Sequence, residues 1–181
     1  IIYGRKRGDA AAAFANAQRV FALSPGDPEN RVELRHLAEM VQDFESLILL
    51  YDAALENAEP ALQRALAWEI AEIYDQNLRS AKDARTYFQK VLALEPLHEG
   101  AFEALRRILQ DAGEWATLRQ LLRARVELLG DASARRDLWF QICALDEDLL
   151  SDVPAAIAAY CAVLDLEPGN ARAFMALERL Y

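Results

Sequence analysis

The feature that most constrains this chain is an internal repeat. When the sequence is shifted by 72 residues against itself, Glu95-Pro96 falls on Glu167-Pro168. A shift of 71 residues places Pro25, which lies in the preceding period, on Pro96. Self-similarity at a fixed period indicates structural units that stack in an array, each one packing against its neighbours.

Each period divides into a short and a long unit. The short units are 65–98 and 137–170, the long units are 28–64 and 99–136, and partial units cover 1–27 and 171–181. We interpret residues 1–181 as a single repeat array. Because the chain opens on Ile1 without an initiator methionine or a signal peptide, we also expect it to be a piece of a longer protein.

The apolar pattern of each unit predicts two helices. In the first short unit, Leu66, Ile70 and Ile73 recur at spacings of three and four, which places them on one helix face. Ser80 is the predicted N-cap of the second helix. Pro96 ends that helix, because proline disfavours helical backbone in the residue before it.

The long units carry three or four extra residues, and in both cases these precede a first helix, at Pro60 and Asp131. We therefore expect unusually long helices over 60–77 and 131–150. Pro60 suits the first turn of such a helix, where its missing N–H leaves no hydrogen bond unmade.

These units resemble the tetratricopeptide repeat, a helix–turn–helix of about 34 residues with an aromatic, Leu-Gly and Tyr in its first helix and Ala, an aromatic and Pro in its second. The matching residues are Trp68, Ala71, Ala84, Phe88 and Pro96; then Phe140, Cys143, Ala144, Ala156, Tyr160 and Pro168; then Phe174, Leu177 and Tyr181. The resemblance covers the whole chain and implies an all-α superhelical solenoid. The pattern departs at Glu72 and Glu178, where a small residue is expected.

In this family the first helices line a concave groove that holds a peptide or helix of a partner protein, so the resemblance implies a protein–protein interaction scaffold. Carried across by position, the predicted groove residues are Val32, His36, Glu69, Ile73, Glu103, Arg107, Gln141, Leu145, Met175 and Arg179. This lining has an apolar centre and both charge signs, which suits a partner segment with an apolar stripe flanked by charges.

Two other functions stay open at this point. The chain begins at Ile1-Ile2-Tyr3 and stops at Leu180-Tyr181, inside predicted first helices. Terminal repeats normally need a polar outer face, so self-association through these apolar edges is one alternative. A regulatory repeat region attached to a catalytic domain outside this sequence is the other.

Charge and hydropathy argue against nucleic-acid and membrane partners. The net charge is −9, and no basic stripe of the kind that nucleic acid requires is visible. The short basic run Arg5-Lys6-Arg7 is interpreted as a solvated turn. Since no apolar run approaches the roughly 20 residues that span a bilayer, we expect a soluble chain, with the cytoplasm slightly favoured.

No residue pattern predicts catalysis, a metal site or a cofactor. His36 and His98 lie far apart in sequence, and a metal would need further ligands at defined spacing. Cys143 and Cys161 belong to no CxxC pair and are predicted to be small buried residues.

The remaining candidate features have structural interpretations. Asp146-Glu147-Asp148 cannot converge on one metal, because consecutive helix residues point in different directions. They are predicted to form a solvated helix face, with an acidic contact patch as the alternative. Asp43 is expected to cap its helix. The aromatic residues at repeat positions are predicted to be core spacers: Trp68, Trp115, Trp139, Phe44, Phe88, Phe102, Phe140 and Phe174.

Overall fold

The computed structural model describes residues 2–181, with side chains from Asp9 onward. Over that range the backbone forms ten α-helices and no strand, which confirms the predicted all-α fold. The helices divide between an N-terminal unit that ends at Glu95 and a C-terminal unit that runs from Pro96 to Tyr181. The side chains of residues 1–8 lie outside the described residues, and so does the expectation of an apolar edge at Ile1-Ile2-Tyr3. The turn predicted at Arg5-Lys6-Arg7 is wrong, because the backbone there belongs to the helix Ile2–Leu23.

The N-terminal unit contains the first five helices. Their bounds are Ile2–Leu23 (α1), Pro28–Val41 (α2), Phe44–Leu55 (α3), Pro60–Glu72 (α4) and Ala81–Leu94 (α5). Helices that follow one another in sequence pack together, α1 on α2, α3 on α4, and α4 on α5. α4 continues directly into a π-helical turn over Ile73–Asn77.

The C-terminal unit repeats this arrangement. Its helices are Glu99–Asp111 (α6), Trp115–Leu128 (α7), Ala132–Ala144 (α8), Val153–Leu166 (α9) and Ala171–Leu180 (α10). α8 continues into a second π-helical turn over Leu145–Leu149. α7 packs on α8, α8 on α9, and α9 on α10.

The two long helices predicted from the sequence are confirmed, since α4 and α8 together with their π turns cover 60–77 and 132–149. The π turns themselves were not predicted. In the first, the N–H of Leu78 donates to the C=O of Ile73 at 3.0 Å, and in the second, Leu150 donates to Leu145 at 2.9 Å. This i→i−5 register widens the last turn of each long helix at the same place in the repeat.

A polar side chain begins most of the helices. Asp27, Asp43, Asp131, Asp152 and Asn170 each accept a hydrogen bond from a backbone N–H of the first turn, which confirms the capping role expected of Asp43. Ser80 also lies at an N-cap position, but its hydroxyl donates to Asp83 Oδ2 at 2.5 Å. The predicted cap from Ser80 to a backbone N–H is therefore wrong, because the nearby carboxylate takes the hydroxyl.

The aromatic residues contribute unequally to the core. Phe44, Phe88 and Phe102 are buried, and the rings of Trp68 and Phe88 pack 5.6 Å apart. Trp115, Trp139 and Phe140 are half-buried. The core role predicted for Phe174 is wrong, since its side chain is 50% exposed. The reason is that α10 buries Ala173, Ala176 and Leu177, which leaves Phe174 on the outer side of the helix.

Candidate partner-binding surface

The predicted groove residues fall into three groups in the structure. Six are exposed: Val32, His36, Arg107, Gln141, Met175 and Arg179. Glu69 and Glu103 are half-buried, and Ile73 and Leu145 are buried at 0% and 7% exposure. The predicted open positions of Ile73 and Leu145 are therefore wrong.

Both buried residues begin a π turn. Ile73 packs into the core of the N-terminal unit, where that cluster also contains Tyr51, Leu66 and Ile70. Leu145 occupies the matching place in the C-terminal unit and lies at the base of a cavity there. The two first-helix positions that were expected to face a partner therefore face neighbouring helices.

The cavity in the C-terminal unit lies between α6, α7 and the long helix formed by α8 and its π turn. Its volume is about 350 Å³. Apolar side chains make up one part of its lining, namely Leu118, Leu122, Ala144, Leu145 and Leu149. Polar and charged side chains make up the other part, namely Arg106, Gln110, Gln141 and Asp148.

Arg106 is the cationic group of this cavity. Its Nη2 donates to Glu103 Oε2 at 2.5 Å on the same helix, and its Nη1 reaches Gln141 Oε1 at 3.4 Å. Its Nε is buried and has no hydrogen-bond partner among the described residues. A second cavity, of about 340 Å³, lies on the other side of Arg106 and Gln141, and Phe102 and Asp137 help to line it.

The equivalent first-helix positions of the N-terminal unit are joined by ion pairs. Arg35 Nη1 donates to Glu72 Oε2 at 2.7 Å, and its Nη2 donates to Gln76 Oε1 at 3.3 Å. Arg31 Nε donates to Glu69 Oε1 at 2.8 Å, so the predicted groove residue Glu69 is engaged within the chain. These pairs tie α2 to α4 and its π turn.

Tyr51 completes this part of the N-terminal unit. The side chain is fully buried, and its hydroxyl donates to the backbone C=O of Arg31 at 3.3 Å. Burial raises the pKa of Tyr51 far above its usual value, and the Glu69 carboxylate adds to the shift. Its phenol is therefore neutral and serves as a hydrogen-bond donor in the core.

The acidic triplet differs from its sequence interpretation. Asp148 is exposed, as expected of a solvated face, but Asp146 is 0% exposed. Asp146 Oδ1 accepts from Arg119 Nη1 at 2.8 Å, and the same nitrogen donates to Asp152 Oδ2 at 2.9 Å. The solvated-face prediction is wrong for Asp146, because the π turn directs this side chain onto α7.

Glu147 is likewise engaged rather than solvated. The hydroxyl of Tyr160 donates to Glu147 Oε1 at 2.5 Å, and Arg179 forms an ion pair with the same carboxylate. The pKa of Tyr160 is raised, first by burial and then by this hydrogen bond. Arg179, a predicted groove residue, is therefore held on the π turn of the C-terminal unit.

The two cysteines have different environments. Cys143 is buried, and burial, together with the charge of Glu147, raises the pKa of its thiol to about 12. Cys161 is exposed, so the prediction that it is buried is wrong. The reason is its position on α9: this helix buries the preceding residue, Tyr160, and Cys161 itself lies on the outer side of the helix.

The histidines lie in different units of the structure, and one of them caps a helix. His98 lies at the N-cap of α6, where its Nδ1 accepts from the N–H of Ala101 at 3.1 Å. Among the side chains from Asp9 onward, no three His, Cys, Asp or Glu residues are grouped to hold a metal ion. Nor does any helix in the described part of the chain combine the length and apolar character needed to cross a bilayer.

A larger cavity, of about 470 Å³, lies in the N-terminal unit between the end of α1, α3 and the start of α4. Its lining contains small or apolar side chains and a single amide, with no charged group: Phe21, Ala22, Pro25, Leu50, Ala53, Ala54, Asn57, Ala58 and Leu62. It offers apolar contact, but only the amide of Asn57 could orient a ligand. The cavity beside Arg106 combines apolar contact with four polar or charged side chains and is the candidate site.

Comparisons with known proteins find likenesses among solved structures alone. No protein-family model matches the sequence, and no curated protein matches it. Among solved structures, BtubC (BKLC) from P. vanneervenii is similar, with 16% identity over 100% of this chain and 84% of that chain and a TM-score of 0.47. A tetratricopeptide repeat protein from Parabacteroides merdae shows 14% identity over 97% of this chain and 67% of its own, with a TM-score of 0.47.

A third solved structure, MamA from Desulfovibrio magneticus, is 21% identical over 95% of this chain and 84% of its own, with a TM-score of 0.41. Within the chain itself, paired helices recur, and the two π turns lie 72 residues apart. Over the described residues the chain is an all-α array of paired helices.

Proposed function

We propose that this chain is a non-catalytic scaffold that binds a segment of another protein on the surface formed by α6 and α8 of its C-terminal unit. The observation that supports this most directly is the cavity of about 350 Å³ beside Arg106. It combines an apolar floor with a few polar groups at its rim, the composition by which binding sites provide both affinity and orientation.

Exposed residues on the same two helices support the same function. Arg107 and Gln141, both predicted groove residues, lie on α6 and α8 with exposed side chains. A peptide or helix seated over the cavity would contact them at its edges, where polar groups add specificity more than affinity. Glu103 is already paired with Arg106 and orients that guanidinium.

Site-specific photo-crosslinking in cells that express the chain tests this function. A photoreactive amino acid is placed at Arg107 or Gln141, and at the exposed positions Gln120 on α7 and Ala158 on α9 as matched controls. We expect a discrete adduct with another protein from the first pair and none from the controls. Equal labelling from all four positions, or labelling from none, would contradict the proposal.

Self-association is the second candidate function, and an exposed apolar patch on α10 favours it. Phe174 and Met175 are adjacent on this helix and are 50% and 69% exposed. Light scattering over a wide concentration range tests the idea, with Phe174→Ser and Met175→Ser as variants. A mass that rises with concentration and falls back in the variants supports self-association, and a concentration-independent monomer excludes it.

A further inference from the structure

The two units carry different residues at equivalent first-helix positions. The comparison shows which interactions of the N-terminal unit have no equivalent at the candidate cavity. In the internal register, Arg35 corresponds to Arg106 and Glu72 corresponds to Ala144. Arg35 has its carboxylate partner within the chain, at 2.7 Å. Arg106 has no such partner on α8, because the side chain of Ala144 ends at a methyl group.

The donors of Arg106 are consequently not all used. Glu103 takes Nη2 and Gln141 takes Nη1 at 3.4 Å, near the limit for a hydrogen bond. The Nε is buried without a hydrogen-bond partner among the described residues. Since a guanidinium carries five N–H donors and the side chain of Arg106 is 32% exposed, this group can still donate to another carboxylate.

The apolar residues that line the cavity also differ from their equivalents in the N-terminal unit. Tyr51 of the N-terminal unit corresponds to Leu122 in the C-terminal unit. Tyr51 is 0% exposed and fills its unit with an aromatic ring, whereas Leu122 lines the cavity together with Leu118. The C-terminal unit therefore lacks the carboxylate on its long helix and the ring that the N-terminal unit has, and Arg106 is paired instead with Glu103 on its own helix.

We propose that this cavity binds a partner segment in which one glutamate or aspartate side chain stands beside a bulky apolar side chain. The carboxylate accepts hydrogen bonds from Arg106, as Glu72 does from Arg35, and the apolar group packs on Leu118 and Leu122. This inference rests on the proposed scaffold function and specifies its ligand.

The charges around the cavity limit the partner to one carboxylate at this point. Asp148 lines the cavity and is exposed, and it stands where the N-terminal unit has the neutral Gln76. A second carboxylate of the partner would lie close to Asp148 and be repelled by it. The site therefore selects an isolated acidic residue next to an apolar one, rather than an acidic run.

Selection from a displayed library of random dodecapeptides on the whole chain tests this proposal. Ala144→Glu returns to α8 the carboxylate that the N-terminal unit has, and Arg106→Gln removes the cation. Ala158→Glu is the control, because it adds the same charge at an exposed position on α9. Circular dichroism and a thermal melt of each variant establish that it is folded before its affinity is measured.

We expect the selected peptides to share an acidic residue beside an aromatic or long aliphatic one. Their affinity should fall at least about tenfold in Ala144→Glu and Arg106→Gln, the worth of one charge-assisted hydrogen bond, and stay within about twofold in Ala158→Glu. Peptides that lack an acidic residue, or that bind Ala144→Glu as tightly as the unaltered chain, overturn the inference and leave the scaffold function standing. If no peptide is enriched, the inference and the proposed function fail together.

Discussion

Asp146 offers a direct test of whether a buried ion pair holds the C-terminal unit together. Its carboxylate is 0% exposed and accepts from Arg119 at 2.8 Å, with Arg123 3.9 Å from its other oxygen. Since Arg119 belongs to α7 and Asp146 to the π turn after α8, this contact joins two neighbouring helices. Asp146→Asn keeps the size of the side chain and removes its charge.

The expected loss of stability depends on which interactions Arg119 keeps when the charge of Asp146 is removed. Removing one partner of a fully buried ion pair costs about 3–5 kcal/mol, because the other charge is left without compensation. Arg119, however, is 24% exposed and retains its hydrogen bond to Asp152 at 2.9 Å. We therefore expect a smaller loss of about 1.5–3 kcal/mol in the free energy of unfolding, the contribution of one hydrogen bond between charged groups.

Urea unfolding of a double-mutant cycle measures this contribution. The cycle comprises the unaltered chain, Asp146→Asn, Arg119→Met and the double variant, and a strong coupling energy between the two sites is expected. Asp148→Asn, two residues away and exposed, should change stability by less than about 0.5 kcal/mol. The reasoning would be refuted if Asp146→Asn were as mild as Asp148→Asn, or if the two single changes were simply additive.

Three further predictions concern the core, the π turns and acid stability. Phe88 is 2% exposed, so Phe88→Ala should lower the free energy of unfolding by about 3–5 kcal/mol in a urea titration. Arg79 and Ser151 follow the π turns with φ of 56° and 52°, so substituting either by Gly should raise the melting temperature, with a gain of up to about 1 kcal/mol. The hydrogen bond from Arg119 lowers the pKa of Asp152. Ionised Asp152 therefore contributes fully to the free energy of unfolding above the unfolded-state pKa of an aspartate, about 3.9, and this contribution is lost as pH falls through the lower pKa of the folded state. Asp152→Asn should weaken the dependence of the unfolding free energy on pH in that acid range.

The helical framework was predictable because its signals are local and repeated. Apolar spacing, Pro60 and the Glu-Pro pairs define where helices begin and end, and the long helices over 60–77 and 131–150 were correctly predicted. The π turns were not, since one wider turn at the end of a helix changes the hydrogen-bond register without interrupting its apolar pattern. The misplaced groove residues Ile73 and Leu145 both lie at the start of these turns.

The buried acidic residues could not be predicted for a different reason. Asp146 lies in a run of three acidic side chains, and such a run is typical of a solvated surface. Its burial depends on Arg119, which lies on another helix, and on a π turn that orients the carboxylate toward it. Periodicity predicts which face of a helix is apolar, but it does not predict which polar groups of two helices meet.

The candidate cavity lies beside a position at which the two units differ, with Glu72 in the first and Ala144 in the second. Within the repeat pattern alone, Glu72 is the irregular residue, because a small side chain is expected where two helices cross, and Ala144 is the regular one. In the structure the irregular Glu72 accepts a hydrogen bond from Arg35 within its own unit. The regular Ala144 has no polar group to offer Arg106, and both residues line a cavity. A sequence pattern marks departures from the repeat, whereas a binding site arises where an internal partner is missing. The candidate site therefore lies where a contact of the N-terminal unit has no counterpart in the C-terminal unit.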